Sequence, residues 1–379
     1  MIKPCGALKL VVIGTGHIGT YMRICYQRAA GGVLRGNVLL NKATPNGLAA
    51  LERDFDCEVA VGGTLDALRR MEPDLVLVCP PPRQIPPVVT DSLAPYCREQ
   101  RERGGVLPDI LSFAPTPSVD YFYERLGPDV NAVKVLPNMF YSVAGLSSAY
   151  LEANFITFSD AHPWPEANRA RLYDFLSPLV NTIEVREEDS VPYLGMRNAA
   201  HCYYDMCYLF ADMLSARGLP GGHQEAASVM RAALRRTWDD LPRALVPCSM
   251  DSLDPHCAQF VAGCAVTWLK GVCDFAPEAG LPDDAGHVVR AYRAEAYLVT
   301  LCLLSRPELD RMTAQLATKG GVCEKSGIFF QAECRDMLAG AFGLWLDHRP
   351  LPEGWWARWR AMGLEAARAI ARHGLTLCG

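Results

Sequence analysis

No Cys-x-x-Cys pair occurs in the 379 residues, although cysteine is frequent: the 15 cysteines, an odd number, are scattered from Cys5 to Cys378. Missing close pairs exclude the usual structural zinc patterns. His201-Cys202 with Cys207, and His256-Cys257 with Cys264 and Cys273, contain ligand types without that spacing, so no metal is expected. An odd, scattered set of thiols fits the reducing cytoplasm better than a disulfide framework. Excess positive charge is missing too, with 37 Lys and Arg against 42 Asp and Glu. A net charge of −5 provides no global field for nucleic acid or an anionic membrane. The longest uncharged stretch, Val135 to Leu151, is broken by Pro137, Asn138 and Gly145 and makes a poor membrane span. The apolar N-terminal run contains Lys9 and ends in a glycine-rich turn, which is not the pattern of a secretory signal. Internal repeats, low-complexity tracts and blocks of like charge are also absent.

What is present is a folded-protein composition, half hydrophobic, and a length that suggests two domains. Short β-rich runs at Leu8 to Ile13, Val38 to Leu40, Leu75 to Val78, Val106 to Phe113 and Val133 to Leu136 alternate with helical stretches. That rhythm predicts a parallel, doubly wound α/β sheet. A strand at Asn154 to Ser159, a helix from Pro165 to about Phe175 and a strand at Thr182 to Val185 look like an extension of its edge. Beyond Ser190 the apolar spacing becomes helical, as in Ala226, Val229, Met230, Ala233, Leu234 and Trp238. The expected division is residues 1–188 as the sheet domain and 189–379 as an all-helical domain. Apolar segments such as His287 to Leu304, and Trp355, Trp356 and Trp359 at the head of the last helix, need a surface to bury against, and a second copy of the chain is one candidate.

The strongest motif is Gly14-Thr15-Gly16-His17-Ile18-Gly19, which follows the strand Leu10 to Ile13 and opens a helix through Tyr21, Met22 and Ile24. This is the dinucleotide fingerprint of a Rossmann domain in its required context. The first glycine permits the turn, the second lets the backbone approach a pyrophosphate, and the third lets helix and strand pack. At the end of the second strand stand Asn41, Lys42 and Thr44, with no acid to receive a ribose 2′-hydroxyl. Those side chains suit a 2′-phosphate, so NADP is expected in preference to NAD; the alternative is that Lys42 is a solvated surface lysine. Cys79 and Pro80, after the strand ending at Val78, lie near the expected cofactor edge, unless Cys79 is only a small buried hydrophobe.

Several motifs in order resemble the pyrroline-5-carboxylate reductase family, over about Lys9 to Phe330. They are the fingerprint, Asn41-Lys42, the run Val78 to Gln84, Val133 to Asn138 (similar to the family's Met-Pro-Asn segment), Glu187-Glu188, Gly218-Leu219-Pro220, and Thr318-Lys319-Gly320-Gly321 (similar to its Ser-Pro-Gly-Gly-Thr-Thr loop). The resemblance implies an NADPH site on the first domain, a homodimer of interlocking helical domains, and a small-molecule substrate between the domains. It places Asn138 near the nicotinamide and substrate, although an Asx-turn that only shapes its loop is the alternative. It also implies an insertion at about 239–282. The chain departs from the family where substrate should sit: Met196 to His201 replaces Ser-Gly-Ser-Gly-Pro-Ala, and Val322-Cys323 replaces two threonines.

In that departing segment Arg197, His201 and Asp205 fall at i, i+4 and i+8, on one face of a predicted helix. Arg197 would bind a substrate carboxylate, His201 would exchange the proton that accompanies hydride transfer, and Asp205 would orient that histidine and raise its pKa. Asn198 would add a hydrogen bond, and Lys319, Gly320, Gly321 and Cys323 would complete the substrate pocket. The alternative is a solvated polar helix face and a Gly-Gly helix cap. The expected function is an NADP-dependent oxidoreductase acting on a small carboxylated imine, amino acid, or keto or hydroxy acid. The competing expectation is a catalytically divergent NADP-binding protein that senses or assembles.

Overall fold

A computed structural model of the chain describes residues 7–16, 18–19, 36–49, 51, 57–137, 153–176, 181–241, 249–316 and 320–378. The described chain separates into two compact units, one up to residue 137 together with Ala153–Ser190, the other Val191–Leu377.

In the first unit the described residues form eight strands: β1 (Leu10–Ile13), β2 (Val38–Lys42), β3 (Glu58–Val61), β4 (Leu75–Val78), β5 (Asp109–Ser112), β6 (Asn131–Leu136), β7 (Ala153–Thr157) and β8 (Asn181–Glu184). Their order across the sheet is β3-β2-β1-β4-β5-β6-β7-β8. Neighbours from β3 to β6 are parallel, β7 runs antiparallel to β6, and β8 is parallel to β7. Both faces of the central strands β1 and β4 are buried, so these strands read as continuous apolar runs whose side chains alternate between two cores. Leu10 and Val12 pack with Trp164, Leu172 and Phe175, the last two from α4 (Glu166–Leu176). Val11 and Ile13 pack on the other face against Leu68 of α1 (Thr64–Met71), Cys97 of α2 (Ala94–Glu102) and Phe122 of α3 (Val119–Leu126).

The sequence reading omitted β3, an edge strand whose four residues are all exposed or half-buried and so carry no apolar run. The expected edge extension is present, and within it β7 runs antiparallel to β6 while β8 is parallel to β7.

The second unit is helical. Its principal helices are α5 (Glu187–Ala199, whose first turn belongs to the first unit), α6 (Cys202–Ala216), α7 (His223–Thr237), α8 (Pro255–Glu278), α9 (Glu295–Leu303), α10 (Arg306–Leu316), α11 (Val322–Phe329), α12 (Arg335–Leu346) and α13 (Trp355–Cys378). The expected single helix His287 to Leu304 is a composite: Ala285–Val289, a π-turn at Arg290–Ala294, then α9. Most of the segment anticipated as an insertion is α8, capped by Asp254, whose side chain accepts from the His256 and Cys257 amides.

Close approach of α8 and α13 depends on glycine: a Cβ on Gly271 would lie 1.9 Å from the Arg360 carbonyl, and one on Gly363 would lie 2.4 Å from the Trp268 carbonyl. Trp355 and Trp359 are 3% and 0% exposed. They pack in their own chain, Trp355 against Phe260 at 5.4 Å and Trp359 against Trp268 at 5.0 Å between ring centroids. Of the tryptophan face offered by the sequence as a dimer surface, Trp355 and Trp359 are thus covered from within and Trp356 is half-buried.

Candidate functional site

The strand order reverses direction between β1 and β4, and there the carboxyl ends of two neighbouring strands diverge and leave a crevice. The fingerprint turn stands at that point. Gly14 has φ +88°, and a Cβ there would lie 2.9 Å from Pro80 N, so the turn fits only glycine against the Cys79-Pro80 backbone. Gly14 N donates to the Asn41 carbonyl at 2.9 Å, and Cys79 N donates to the Ile13 carbonyl at 2.8 Å, which ties the ends of β2, β1 and β4 together. A Cβ on Gly19 would sit 2.2 Å from the Gly14 carbonyl, so this residue keeps the turn tight. Gly16 is different: it is exposed, and a Cβ there would meet nothing within 4 Å among the described residues. Packing among those residues gives no reason for that glycine, whereas close approach of a pyrophosphate would. Ile18 and Gly19 are helical; His17 and the expected helix through Tyr21, Met22 and Ile24 lie outside the described residues.

At the end of β2, Lys42 is half-buried and Thr44 is exposed. Asn41 is 2% exposed and works within the protein. Its Nδ2 donates to the Gly62 carbonyl at 2.8 Å, and its Oδ1 accepts from the Thr64 hydroxyl at 2.7 Å. The expectation that this side chain meets a 2′-phosphate is corrected accordingly: Asn41 positions the β3–α1 loop beside Lys42. Burial pushes the Cys79 thiol well above its usual range, so it stays protonated.

In the second unit a cavity of about 820 Å3 is lined by residues that include His201, Tyr204, Asp205, Tyr208, Cys323 and Gln331. The expected continuous helix from Arg197 to Asp205 is interrupted: α5 ends at Ala199 and α6 begins at Cys202. Across the join the bonds shorten to i, i+3, with His201 N to the Asn198 carbonyl at 3.0 Å and Tyr204 N to the His201 carbonyl at 3.0 Å. Tight pitch of this kind eclipses residues three apart. His201 accordingly stacks on Tyr204, with centroids 4.9 Å apart. Tyr297 meets both rings edge-on, at 5.5 Å and 5.6 Å.

None of this is a solvated face: Arg197, Asn198 and His201 are 2%, 1% and 6% exposed. Burial, with the nearby Arg293 charge second, lowers the Arg197 pKa well below its ordinary value. The same two causes bring His201 down to about 4. Asp205 was expected to orient this histidine and raise its pKa. Instead its Oδ1 accepts from Gln331 Nε2 at 3.0 Å, and burial brings its own carboxyl up to about 7. Asp205 and His201 line one cavity, but the hydrogen-bond partner of Asp205 is Gln331 and not His201.

Asn198 Nδ2 donates to the Leu194 carbonyl at 2.9 Å, and its Oδ1 accepts from the Cys323 thiol at 3.1 Å. The Gly320-Gly321 turn makes this contact possible. Gly320 has φ +75°, its N–H donates to Glu324 Oε2 at 2.5 Å, and Gly321 caps α11, which delivers Cys323 to Asn198. Asn138 and Lys319 lie outside the described residues.

Arg293, Tyr204, Tyr297 and Gln331 were missed. Arg293 belongs to the π-turn Arg290–Ala294 and stacks over Tyr297, 5.2 Å from its centroid. Gln331 belongs to a second π-turn, Phe330–Cys334. The interruption of an apolar run by Arg293 and Glu295 was a signal open to the sequence; the π-turn that places Gln331 was not. Among the described residues no group of three or more His, Cys, Asp or Glu is placed to hold a metal ion, and no helix is long and apolar enough to cross a membrane.

Compared with solved structures, the chain is similar to pyrroline-5-carboxylate reductases along most of its length. With the Plasmodium falciparum pyrroline carboxylate reductase with NADP bound it shares 11% identity, covering 99% of each chain, at a TM-score of 0.46. With the Coxiella burnetii enzyme identity is 12%, coverage 98% of this chain and 99% of that one, and the TM-score 0.47. With the Aquifex aeolicus prephenate dehydrogenase in complex with hydroxyphenyl propionate and NAD+ the values are 10% identity, 90% and 91% coverage, and 0.40. No family model matches the chain, and no curated protein matches it in sequence. Likeness of this degree carries nothing about substrate, so the functional reading rests on the two sites themselves.

Proposed function

We propose that the chain is an NADP-dependent oxidoreductase that moves a hydride between the nicotinamide and a small substrate bearing a carboxylate: an imine, an amino acid, or a keto or hydroxy acid. The observation that carries this reading is Gly16, a glycine where a Cβ would meet no described atom within 4 Å, in a turn whose other two glycines are fixed by packing, at the reversal point of a doubly wound sheet. Gly14, Thr15, Gly16, Ile18 and Gly19 would hold the pyrophosphate, Lys42 and Thr44 the 2′-phosphate, and Cys79 and Pro80 the edge of the ring system. The cofactor's contribution is the hydride. The protein must hold the substrate's anion, keep bulk water out and manage one proton.

Arg197 supports the carboxylate part of the reading. A buried guanidinium with a second positive charge near it regains proton affinity when an anion is brought beside it, and charge-assisted bonds to carboxylate are among the strongest available. Asn198, next to Arg197 in sequence, bonds Cys323, which lines the cavity; Arg197 and Asn198 are not among the described lining residues. A homodimer remains part of the proposal; Leu219, Leu303, Ile328 and Leu375 of the second unit are 41%, 42%, 53% and 59% exposed and are available to such a contact.

The test is NADPH oxidation across a panel of cyclic imines and keto acids, run beside direct NADPH binding. Turnover of a carboxylated member, lost in Arg197→Ala with NADPH binding retained, is the expected result. Binding without turnover across the panel would favour the sensing or assembly role instead.

A further inference from the structure

We propose that Asp205, held by Gln331, is the group that gives and takes the proton in the cavity of the second unit. Its use in hydride transfer rests on the oxidoreductase reading above; the identity of the proton-exchanging group does not.

Apart from tyrosines and a thiol, the described titratable side chains lining the cavity are His201, Asp205, Asp310 and Glu324. Three of them are committed elsewhere. Asp310 accepts from the Tyr208 hydroxyl at 3.1 Å. Glu324 accepts from the Gly320 amide at the start of α11. The His201 ring is enclosed by Tyr204 and Tyr297, and a proton added to it would face the Arg293 charge. Asp205, in the first turn of α6, is the remaining acid of the cavity, and the groups around it suit a carboxyl that changes state. The Cys202 and Cys334 thiols, which act on one another and on Asp205, are held protonated by burial. No lysine or arginine is among the described lining residues, so no cation locks the carboxylate in its charged form.

Gln331 makes the pair work in both states. The π-turn Phe330–Cys334 inserts an extra residue into the helical path and presents the Gln331 amide to α6. An amide both donates and accepts. Its Nε2 donates to the Asp205 carboxylate, and turned over, its Oε1 accepts from the carboxylic acid, so Asp205 keeps its place as its proton comes and goes. Burial brings the Asp205 carboxyl up to about 7, where both forms are populated at neutral pH. In a reduction the cofactor would supply the hydride to a C=N or C=O carbon, Asp205 would give its proton to the heteroatom, and the resulting carboxylate would be reprotonated from water.

Carbon-13 NMR of the full chain with carboxyl-labelled aspartate reads the group directly, the Asp205 signal being assigned by its loss in Asp205→Asn or by its selective shift in Gln331→Met. A midpoint near 7, moved upward in Gln331→Met because a donor to the charged form is gone, is expected. A midpoint near the ordinary 3.8 overturns the assignment whether or not a substrate is known. On a turned-over substrate, Asp205→Asn should lose roughly a hundredfold or more in kcat with NADPH affinity unchanged, and Gln331→Met should move the kcat pH profile upward. Parental turnover by Asp205→Asn overturns the proton role and leaves the oxidoreductase reading standing. No turnover by the parent chain on any substrate defeats that reading, and the NMR midpoint still decides the assignment.

Discussion

Gly16 and Gly19 share one loop and are glycine for different reasons, which single substitutions separate. Gly19→Ala drives a Cβ into the Gly14 carbonyl at 2.2 Å and should lower the midpoint of urea unfolding. Gly16→Ala adds a Cβ that meets no described atom within 4 Å, so the folded chain should keep its stability within about 0.5 kcal/mol while NADPH binding is weakened. Equal losses of stability in the two variants would contradict this. The Asp205 carboxyl has its own signature in stability against pH. The unfolded carboxyl releases its proton near 3.8 and the folded one near 7, so across that window the folded state keeps a proton the unfolded state has lost. Stability contributed through Asp205 therefore falls as pH rises from the first value to the second and is level above it. His201 works the other way: with a folded value near 4, below its ordinary 6.5, it withdraws stability as pH falls through that range. Asp205→Asn should gain on the parent as pH rises, by at most about 4 kcal/mol for a shift of about three units, measured by unfolding at several pH values. An advantage independent of pH would refute it.

At the level of elements, the strand end of the first unit and the first turn of α5 are joined by a buried charge. Lys134 on β6 is 1% exposed; it pairs with Glu187, whose side chain is 35% exposed, and donates to the Ser190 hydroxyl at 3.2 Å. The pair is asymmetric, and so should be its mutants. Glu187→Ala strands an ammonium in the protein interior, which costs about 3–5 kcal/mol for a broken buried pair. Lys134→Met leaves a carboxylate that water can still reach, and should cost clearly less. Guanidinium unfolding of both variants checks the order, and a larger loss in Lys134→Met would reverse the account.

Elements of this kind were unevenly legible. Strands β1 and β4 announce themselves because every residue is apolar and buried, and β2 and β6 because each holds a buried apolar run, Val38 to Leu40 and Val133 to Leu136 broken only by Lys134, whereas β3 lies at an edge and carries no such run. The Arg197 to Asp205 spacing was visible, but one tightened turn changed which side chains align: His201 meets Tyr204, three residues on, and Asp205 meets Gln331. Nothing in local sequence marks the π-turn that presents Gln331, since it is set by packing between helices distant in sequence.

For the whole molecule, the sheet domain was readable from rhythm and the second unit only as helical, because the crossing of α8 on α13 depends on backbone contacts at Gly271 and Gly363. Trp355 and Trp359 of α13 looked like an interface and are core, whereas Trp356 is half-buried. A homodimer cannot rest on the two buried rings, and sedimentation at low protein concentration is expected to show a dimer; a stable folded monomer would remove that part of the proposal. The central claim is that the turn at the β1/β4 crevice binds a dinucleotide carrying a 2′-phosphate, beside Lys42 and with no acid at the end of β2. Calorimetric titration of the full chain with NADPH and with NADH, repeated on Lys42→Glu, tests it most directly. NADPH should bind more tightly than NADH in the parent and lose that advantage in Lys42→Glu; equal affinities in the parent, or no binding of either nucleotide, would contradict it.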